Sequence, residues 1–210
     1  MRMARYVASI GALGSLFVLS ACGDPVPPAA QAGISIHLQE YDPMDPVHGT
    51  ERCPPSRHWV NVPYDKDRPP TSQKQLTDAN MAVRAVNNQE GNSVSCTVKP
   101  SGSGFTVKGS ATAYAESDGV KYKPSIVHIQ IPNISASDNN ARGNLVVQDD
   151  ASLSRYESDE CFYSVQGNSL GIDAGKIWAS VRCEGLSDSA APGSACQVDT
   201  GFFVLENCAQ

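Results

Sequence analysis

The alternation of apolar and polar side chains along most of the chain is the feature that most restricts its fold. Residues 105–115, FTVKGSATAYA, show it best, with Phe105, Val107 and Ala111 on one face and polar or small side chains between them. A period of two is typical of a half-buried β-strand, because successive side chains point to opposite faces of a sheet. No stretch of similar length has the period of an amphipathic helix. The pattern therefore predicts a domain built from strands.

The same period recurs in nine other stretches. They are residues 34–38, 58–62, 81–86, 93–98, 125–131, 144–148, 160–166, 176–183 and 201–208. Turn-forming residues separate most of them, and the Pro-rich residues 40–75 form a long predicted loop around one short strand. About ten short strands of this kind are typical of an antiparallel β-sandwich or a jelly-roll-like barrel. The sequence therefore predicts an all-β fold in a single domain, residues 34–210.

The composition allows a buried core and argues against nucleic acid as a partner. Hydrophobic residues make up 40% of the chain and charged residues only 18%. The 22 acidic residues outnumber the 16 basic ones, which gives a formal net charge of −6. A chain with net negative charge repels phosphate backbones and lacks the excess of basic residues that binds anionic lipids. No binding through positive charge is therefore expected.

Seven cysteines predict a disulfide-stapled domain with one cysteine left over. Six of them lie in the predicted β domain: Cys53, Cys96, Cys161, Cys183, Cys196 and Cys208. Six cysteines allow fifteen pairings, so the sequence alone does not fix the bridges. The turn-rich loop between Cys183 and Cys196 favours a bridge across it, whereas a hairpin at residues 167–175 would place Cys161 opposite Cys183. No CxxC motif is present, so structural bridges are expected rather than thiol chemistry.

The seventh cysteine, Cys22, follows a segment with the parts of an export signal. Two arginines supply positive charge, and residues 6–20 form an apolar stretch too short to cross a bilayer as a permanent helix. The next letters read LSAC, with Leu19 where ordinary signal peptidase prefers a small side chain. This stretch resembles the lipobox of bacterial lipoproteins, in which the cysteine becomes lipidated.

The resemblance to bacterial lipoproteins implies that residues 1–21 are a signal peptide and that Cys22 carries a diacylglyceryl group and a further acyl chain such as palmitate. Two or more acyl chains anchor a protein stably to a membrane. Gly23 follows the cysteine, and Asp24 lies one place beyond the position where Asp favours inner-membrane retention. The resemblance therefore implies an exported, secreted-type protein held at the outer membrane of the cell envelope. Residues 22–33 form a Pro-rich tether between the lipid and the domain.

One stretch matches a catalytic motif. GNSLG at residues 167–171 fits the hydrolase pattern G-x-S-x-G, with Ser169 as the nucleophile. That chemistry needs a helix after the serine and a histidine later in the chain, whereas residues 176–181 read as a strand and the last histidine is His128. We therefore interpret the stretch as a Gly-rich hairpin loop and predict no catalytic residue.

The histidines and carboxylates have no recognised metal-binding spacing. His48, Cys53 and His58 are loosely spaced without an HExxH motif, and His37 and His128 fall on the polar faces of their strands. An acidic cluster, interpreted as a solvated loop, comprises Asp149, Asp150, Glu157, Asp159 and Glu160. Its spacing supports neither a calcium site nor the paired carboxylates of a glycosidase. The sequence therefore predicts no metal and no cofactor.

Two aromatic side chains fall on outward strand positions, where rings can bind sugars or proteins. They are Tyr114 and Trp178, and for Trp178 the favoured interpretation is that it covers a second small core. These features together predict a lipid-anchored envelope protein whose non-enzymatic β domain binds a protein or glycan partner or serves structurally. The alternative is a hydrolase acting on envelope polysaccharide or peptide. A polar cleft with convergent carboxylates or a perturbed histidine would favour the enzyme, and a flat aromatic or apolar patch would favour binding.

Overall fold

The structure is a computed structural model that describes residues 27–40, 53, 57–63, 84–114, 116–117, 120–121, 125–148, 154–166, 170–188 and 195–210. Within these ranges lie thirteen strands and no helix. The strands are β1 (Gln31–Glu40), β2 (Arg57–Val62), β3 (Ala85–Val86), β4 (Ser93–Ser101), β5 (Gly104–Ala113), β6 (Glu116–Ser117), β7 (Val120–Lys121), β8 (Ser125–Ile134), β9 (Ala141–Gln148), β10 (Arg155–Ser164), β11 (Gly171–Asp173), β12 (Lys176–Asp188) and β13 (Ala195–Glu206).

Eleven of these strands form one antiparallel sheet. Its main path runs β2-β1-β13-β12-β10-β9-β8-β5-β4, with β3 added beside β1 and β11 beside β12. The short strands β6 and β7 pair with each other. The last strand in chain order, β13, therefore lies between β1 and β12 and pairs with both along most of its length.

The sheet curls so that its two ends approach each other around one apolar core. β4 contacts β1 and β3, and β2 contacts β5 and β8. Across the core, a Cβ atom on Gly109 of β5 would lie only 2.6 Å from Leu205 Cδ1 of β13. Tyr163 and Phe203 pack edge to face in the same core, with ring centroids 5.9 Å apart. The all-β antiparallel fold predicted from the alternation is thus confirmed.

The free edge of β4 is capped by residues from elsewhere in the chain. Val98 donates its N–H to the Ala209 carbonyl and accepts the N–H of Gly175, both over 3.0 Å. Ala209 in turn donates its N–H to the Cys96 carbonyl over 3.0 Å. Further along the strand, Pro100 has no N–H to offer. Because an open strand edge invites pairing with another chain, these contacts protect β4.

Three disulfides staple the sheet and use all six cysteines of the domain. The bridges are Cys53–Cys196, Cys96–Cys208 and Cys161–Cys183. The favoured pairing of Cys183 with Cys196 is wrong, and the alternative bridge forms instead. Cys183 lies directly opposite Cys161 on β10, with Cα atoms 4.4 Å apart. On its other side Cys183 lies opposite Val198, so the ladder between β12 and β13 offsets it from Cys196.

Each of the ten predicted strands overlaps an observed one, with differences at the ends. β1 begins at Gln31, so residues 31–33 of the predicted tether belong to the sheet. Residues 81–83, the start of another predicted strand, lie outside the described residues, as does the predicted signal peptide, residues 1–21. Strands β6, β7 and β11 were not predicted, because two or three residues carry too little alternation. Among the residues that the structure describes, no helix has the length and apolar character to span a bilayer.

Candidate functional site

Alternate residues of each strand point away from the core, and the strand pairing aligns them in rows on the outer face of the sheet. One row crosses β8, β9 and β10 and holds His128, Val146 and Glu157, each opposite the next. A neighbouring row holds Gln130 and Asn144 on β8 and β9. Side chains in one row can touch, because adjacent strands lie only ~4.8 Å apart.

Two adjoining cavities on this face form a surface that we call the polar groove. It is defined by Gln130, Arg142, Asn144, Arg155, Glu157 and Asp159, which all line the larger cavity of about 480 Å³. The smaller cavity, about 310 Å³, lies over β4, β5 and β8 and shares Gln130 and Asn144 with the larger one. Both cavities are wide and open to solvent, and their volumes fall in the roughly 300–1,000 Å³ range of small-ligand sites.

Side chains of the polar groove hold one another in place. Asn144 Nδ2 donates a hydrogen bond to Asp159 Oδ1 over 2.8 Å. Arg155 Nε lies 3.8 Å from Glu157 Oε2, and both side chains are about half exposed. From the core below, the Tyr163 hydroxyl donates to the Asn144 backbone carbonyl over 2.8 Å. Burial raises the pKa of Tyr163 far above its usual value, so its hydroxyl keeps the proton that it donates.

Phe162 lies between two arginines at one end of the polar groove. Strand pairing places it opposite Arg142 on β9 and opposite Arg182 on β12. The guanidinium carbons of these arginines lie 5.6 and 5.0 Å from the ring centroid. A cation–π contact uses the face of a guanidinium, so the N–H groups at its edge stay available to donate. Arg142 also approaches Glu160 to 3.9 Å, but both side chains are exposed and the contact is weak.

His128 lies in the smaller cavity of the polar groove. Partial burial lowers the pKa of His128, and the positive charge of Arg155 lowers it further. The imidazole is therefore neutral at neutral pH, where one ring nitrogen donates a hydrogen bond and the other accepts one. Val146 stands between His128 and Glu157 in their row. Two strand spacings, ~10 Å, thus separate the backbone positions of the histidine and that carboxylate.

The outer face of β11, β12 and β13 is apolar, in contrast to the polar groove, which is lined by charged side chains. Trp178, Val204 and Leu170 pack there in a small group, the Trp178 cluster, that is separate from the main core. Trp178 is only 6% exposed, so it covers a second small core, as predicted. A cavity of about 380 Å³ lies beside the cluster and is also lined by Lys176 and Glu206. Trp178 Nε1 is buried and makes no hydrogen bond to any described group.

A histidine–carboxylate pair lies on β1 and β13. His37 Nδ1 is 2.8 Å from Asp199 Oδ1, and the imidazole stacks on Trp59 with centroids 4.6 Å apart. Such a pair can orient a general base when a nucleophile bonds the other ring nitrogen. Among the described residues, neither His37 nor His128 has a Ser, Thr or Cys side chain hydrogen-bonded to its ring.

Several residues of the predicted sites lie outside the described residues. The residues outside the described ranges are Cys22, His48, Asp149, Asp150 and Ser169, together with the side chain of His58. Cys53 is bonded to Cys196, so it is not a free metal ligand. In the part of the chain that the structure describes, no three His, Cys, Asp or Glu side chains are grouped so as to hold a metal ion. Tyr114, predicted to face outward, is 44% exposed.

The prediction of a solvated loop is wrong for the second half of the acidic cluster. Glu157, Asp159 and Glu160 lie on β10, with exposed side chains. The pairing of β10 with β9 is irregular between Ser158 and Cys161, which breaks the alternation there. A polar stretch without clean alternation looks like a loop in the sequence, although in the structure it belongs to β10, an interior strand of the sheet.

The sequence reasoning missed most of the polar groove. Gln130 and Asn144 stand on the predicted strands 125–131 and 144–148, where the alternation gives their outward position, whereas Arg142 and Arg155 lie outside the predicted strands. Their convergence depends on the order of the strands, which the alternation does not contain. Comparison of the chain with protein-family models, with curated proteins and with solved structures finds no match in any of the three.

Proposed function

We propose that the protein is a lipid-anchored component of the bacterial cell envelope whose β domain binds an envelope glycan or protein in the polar groove. The observation that supports binding is the groove itself. Donor and acceptor side chains converge there on one solvent-facing surface, and Asn144 and Arg142 are held in place by neighbouring side chains. Pre-positioned polar groups in a concave surface reduce the ordering cost of binding a ligand.

The lipid anchor is proposed from the lipobox resemblance and from the disulfides. All six domain cysteines are paired, which leaves Cys22 as the one cysteine of the chain without a disulfide role. Three structural disulfides are also typical of exported proteins. Cys22→Ser in the full chain should release the protein from membranes, as measured by detergent partitioning and intact mass. A wild-type mature protein with an unmodified Cys22 would refute the anchor.

Binding is tested by sedimenting the detergent-solubilised lipoprotein with purified envelope fragments. The wild type should co-sediment, and Asn144→Ala should reduce the bound fraction at least tenfold, because its side chain lies at the centre of the groove. Lys99→Ala is the matched control, since Lys99 is an exposed outward residue of β4 that does not line the groove. Equal retention of all three proteins would contradict binding through this surface.

A hydrolase is the second candidate. The carboxylates of the polar groove and the lowered pKa of His128 in its smaller cavity are the observations in its favour. Glu157 and Asp159 lie on the same face of β10, two residues apart, at a backbone spacing of ~7 Å. Glycosidases use a pair of carboxylates at about such separations. Both side chains are exposed, however, whereas a general acid is kept protonated by apolar surroundings. Binding without hydrolysis is therefore the function that the geometry supports better.

A further inference from the structure

We propose that the ligand of the polar groove is a neutral saccharide, recognised through its hydroxyl groups by the alternating acceptors and donors of Glu157, Asp159, Arg142 and Arg155. This rests on the proposed function, and it adds the chemical class of the ligand.

The groove presents both kinds of hydrogen-bonding group close together. Glu157 and Asp159 only accept when ionised, Arg142 and Arg155 only donate, and the amide of Asn144 does both. All line the same cavity of about 480 Å³. A saccharide hydroxyl has one proton to donate and two lone pairs to accept, so neighbouring hydroxyls can satisfy both kinds of group. A ligand with acceptors alone, such as a phosphate, would leave the carboxylates without partners.

The charges of the larger cavity favour a neutral ligand. Two arginines and two carboxylates line that cavity, so its formal charges balance, and Lys108 in the smaller cavity adds one positive charge. An anionic chain would be attracted by Arg142 and Arg155 but repelled by Glu157 and Asp159 at similar distances. The whole chain has a net charge of −6, which adds to that repulsion.

The groove also presents an apolar surface. Pro132 of β8 lines the larger cavity and is exposed. Val146 points outward and lines the same cavity, but it is only 6% exposed and adds little contact area. The ring faces of a saccharide carry C–H groups, which need an apolar surface of this kind beneath the hydroxyl contacts.

Several groups of the groove already contact other side chains of the domain. The guanidinium carbon of Arg142 lies 5.6 Å from the centroid of the Phe162 ring, and the Asn144 amide donates a hydrogen bond to Asp159. Asn144 is fixed a second time through its backbone carbonyl, which accepts the Tyr163 hydroxyl. The groove runs across five strands, β4, β5, β8, β9 and β10, and four strand spacings amount to ~19 Å. That length exceeds one sugar ring, so an oligosaccharide is the expected ligand.

The test measures binding of defined sugars to the full-length lipoprotein in a detergent without a sugar headgroup. The probes are neutral hexasaccharides of glucose and N-acetylglucosamine with different linkages, and an oligogalacturonate as the anionic probe. We expect calorimetry to detect at least one neutral probe and no oligogalacturonate. Glu157→Gln, which keeps the shape of the side chain, and Asn144→Ala should each weaken the neutral probe at least tenfold. Lys99→Ala should bind it as the wild type does.

Any other result contradicts either the saccharide inference or the proposed function. Absence of neutral-probe binding, preference for oligogalacturonate, or equal affinity of the groove variants would overturn the saccharide inference. If envelope fragments still retained the protein in an Asn144-dependent way, the proposed function would stand without it. If a neutral probe bound but no envelope fragment did, the inference would stand and the proposed function would fall. Mass spectrometry of the recovered probe separates binding from hydrolysis, since a shortened probe would establish the enzyme.

Discussion

The polar groove and the Trp178 cluster occupy the same kind of position, the outer face of one continuous sheet, yet they differ in almost every physical property. The groove is lined by exposed, hydrogen-bonded charged and amide side chains. The Trp178 cluster is apolar and nearly closed to solvent, with Trp178 6% and Val204 4% exposed. Its indole N–H has no partner among the described residues, whereas Asn144 in the groove is bonded through both its side chain and its backbone.

The difference shows that pointing outward and being exposed are separate properties. Alternation decides which side chains leave the main core, and Trp178, Val146 and Ser35 all do so. Each is nevertheless at least nine-tenths buried, because neighbours close over it. Stability is therefore expected to depend on the covered outward positions, and ligand binding on the open ones. The following predictions test that division, from the largest effect to the smallest.

Among the changes proposed here, removal of the Cys96–Cys208 bridge should have the largest effect. This bridge ties β4, on the groove side, to the segment after β13. It closes a sequence separation of 112 residues, against 22 for Cys161–Cys183. On the chain-entropy model, loss of these bridges costs about 5 and about 3 kcal/mol. Urea unfolding of Cys96→Ala/Cys208→Ala and Cys161→Ala/Cys183→Ala measures both. A larger loss from the second pair would contradict this ranking.

Trp178→Ala should come next, with a loss of about 3–5 kcal/mol, because it empties a second core that solvent barely reaches. Sugar binding in the polar groove should be unchanged. Trp178→Phe is the matched control, and it should cost much less, since the indole N–H that it removes has no described partner. If Trp178→Ala weakened groove binding as strongly as Asn144→Ala does, the two outer regions would not be independent.

Tyr163→Phe should have a smaller effect, at the point where the core supports the groove. The change removes the hydrogen bond to the Asn144 carbonyl and should lower the free energy of unfolding by about 1 kcal/mol. It should also weaken ligand binding modestly, because Asn144 loses one of its two supports. Chemical denaturation and calorimetry on the same variant give both values. A stability loss with unaltered affinity would show that the backbone contact does not position the groove.

The smallest effect should be a pH dependence that arises from His128. Its pKa in the folded protein lies below the ordinary value of 6.5, chiefly through burial. As the pH falls through 6.5, the unfolded chain therefore takes up a proton before the folded one does, and stability is lost until the folded pKa is passed. Between about pH 7 and about pH 5, the wild type should lose more stability than His128→Gln. Parallel pH profiles of the two proteins would disprove it.

Much of the fold could be predicted from local pattern. The alternation in residues 105–115 and 125–131 gave strands β5 and β8 on the correct faces, since every second side chain there is core-facing. The count of cysteines also predicted a stapled domain. These features depend on neighbours in sequence, which is why a single sequence contains them.

The bridge between Cys53 and Cys196 and the convergence of the groove side chains could not be predicted, because both depend on which strands become neighbours in space. Cys53 and Cys196 are 143 residues apart, and only the placement of β2 and β13 on either side of β1 brings them together. The polar groove likewise combines β8, β9 and β10, and its β10 residues lie beside an irregular pairing that hides the alternation. Arg142 and Phe162 meet across that same pair of strands.

The position of β13 has a consequence for how the domain is made. Synthesis delivers a chain from its N-terminal side, and β13 is the last of the thirteen described strands to arrive. Until it does, β1 and β12 each lack a neighbour, and neither Cys53 nor Cys96 has its partner cysteine. Contacts between such distant parts of a chain form slowly, since long loops must close first. A chain of this topology is therefore expected to remain loosely structured until the final strand is released and to fold only then.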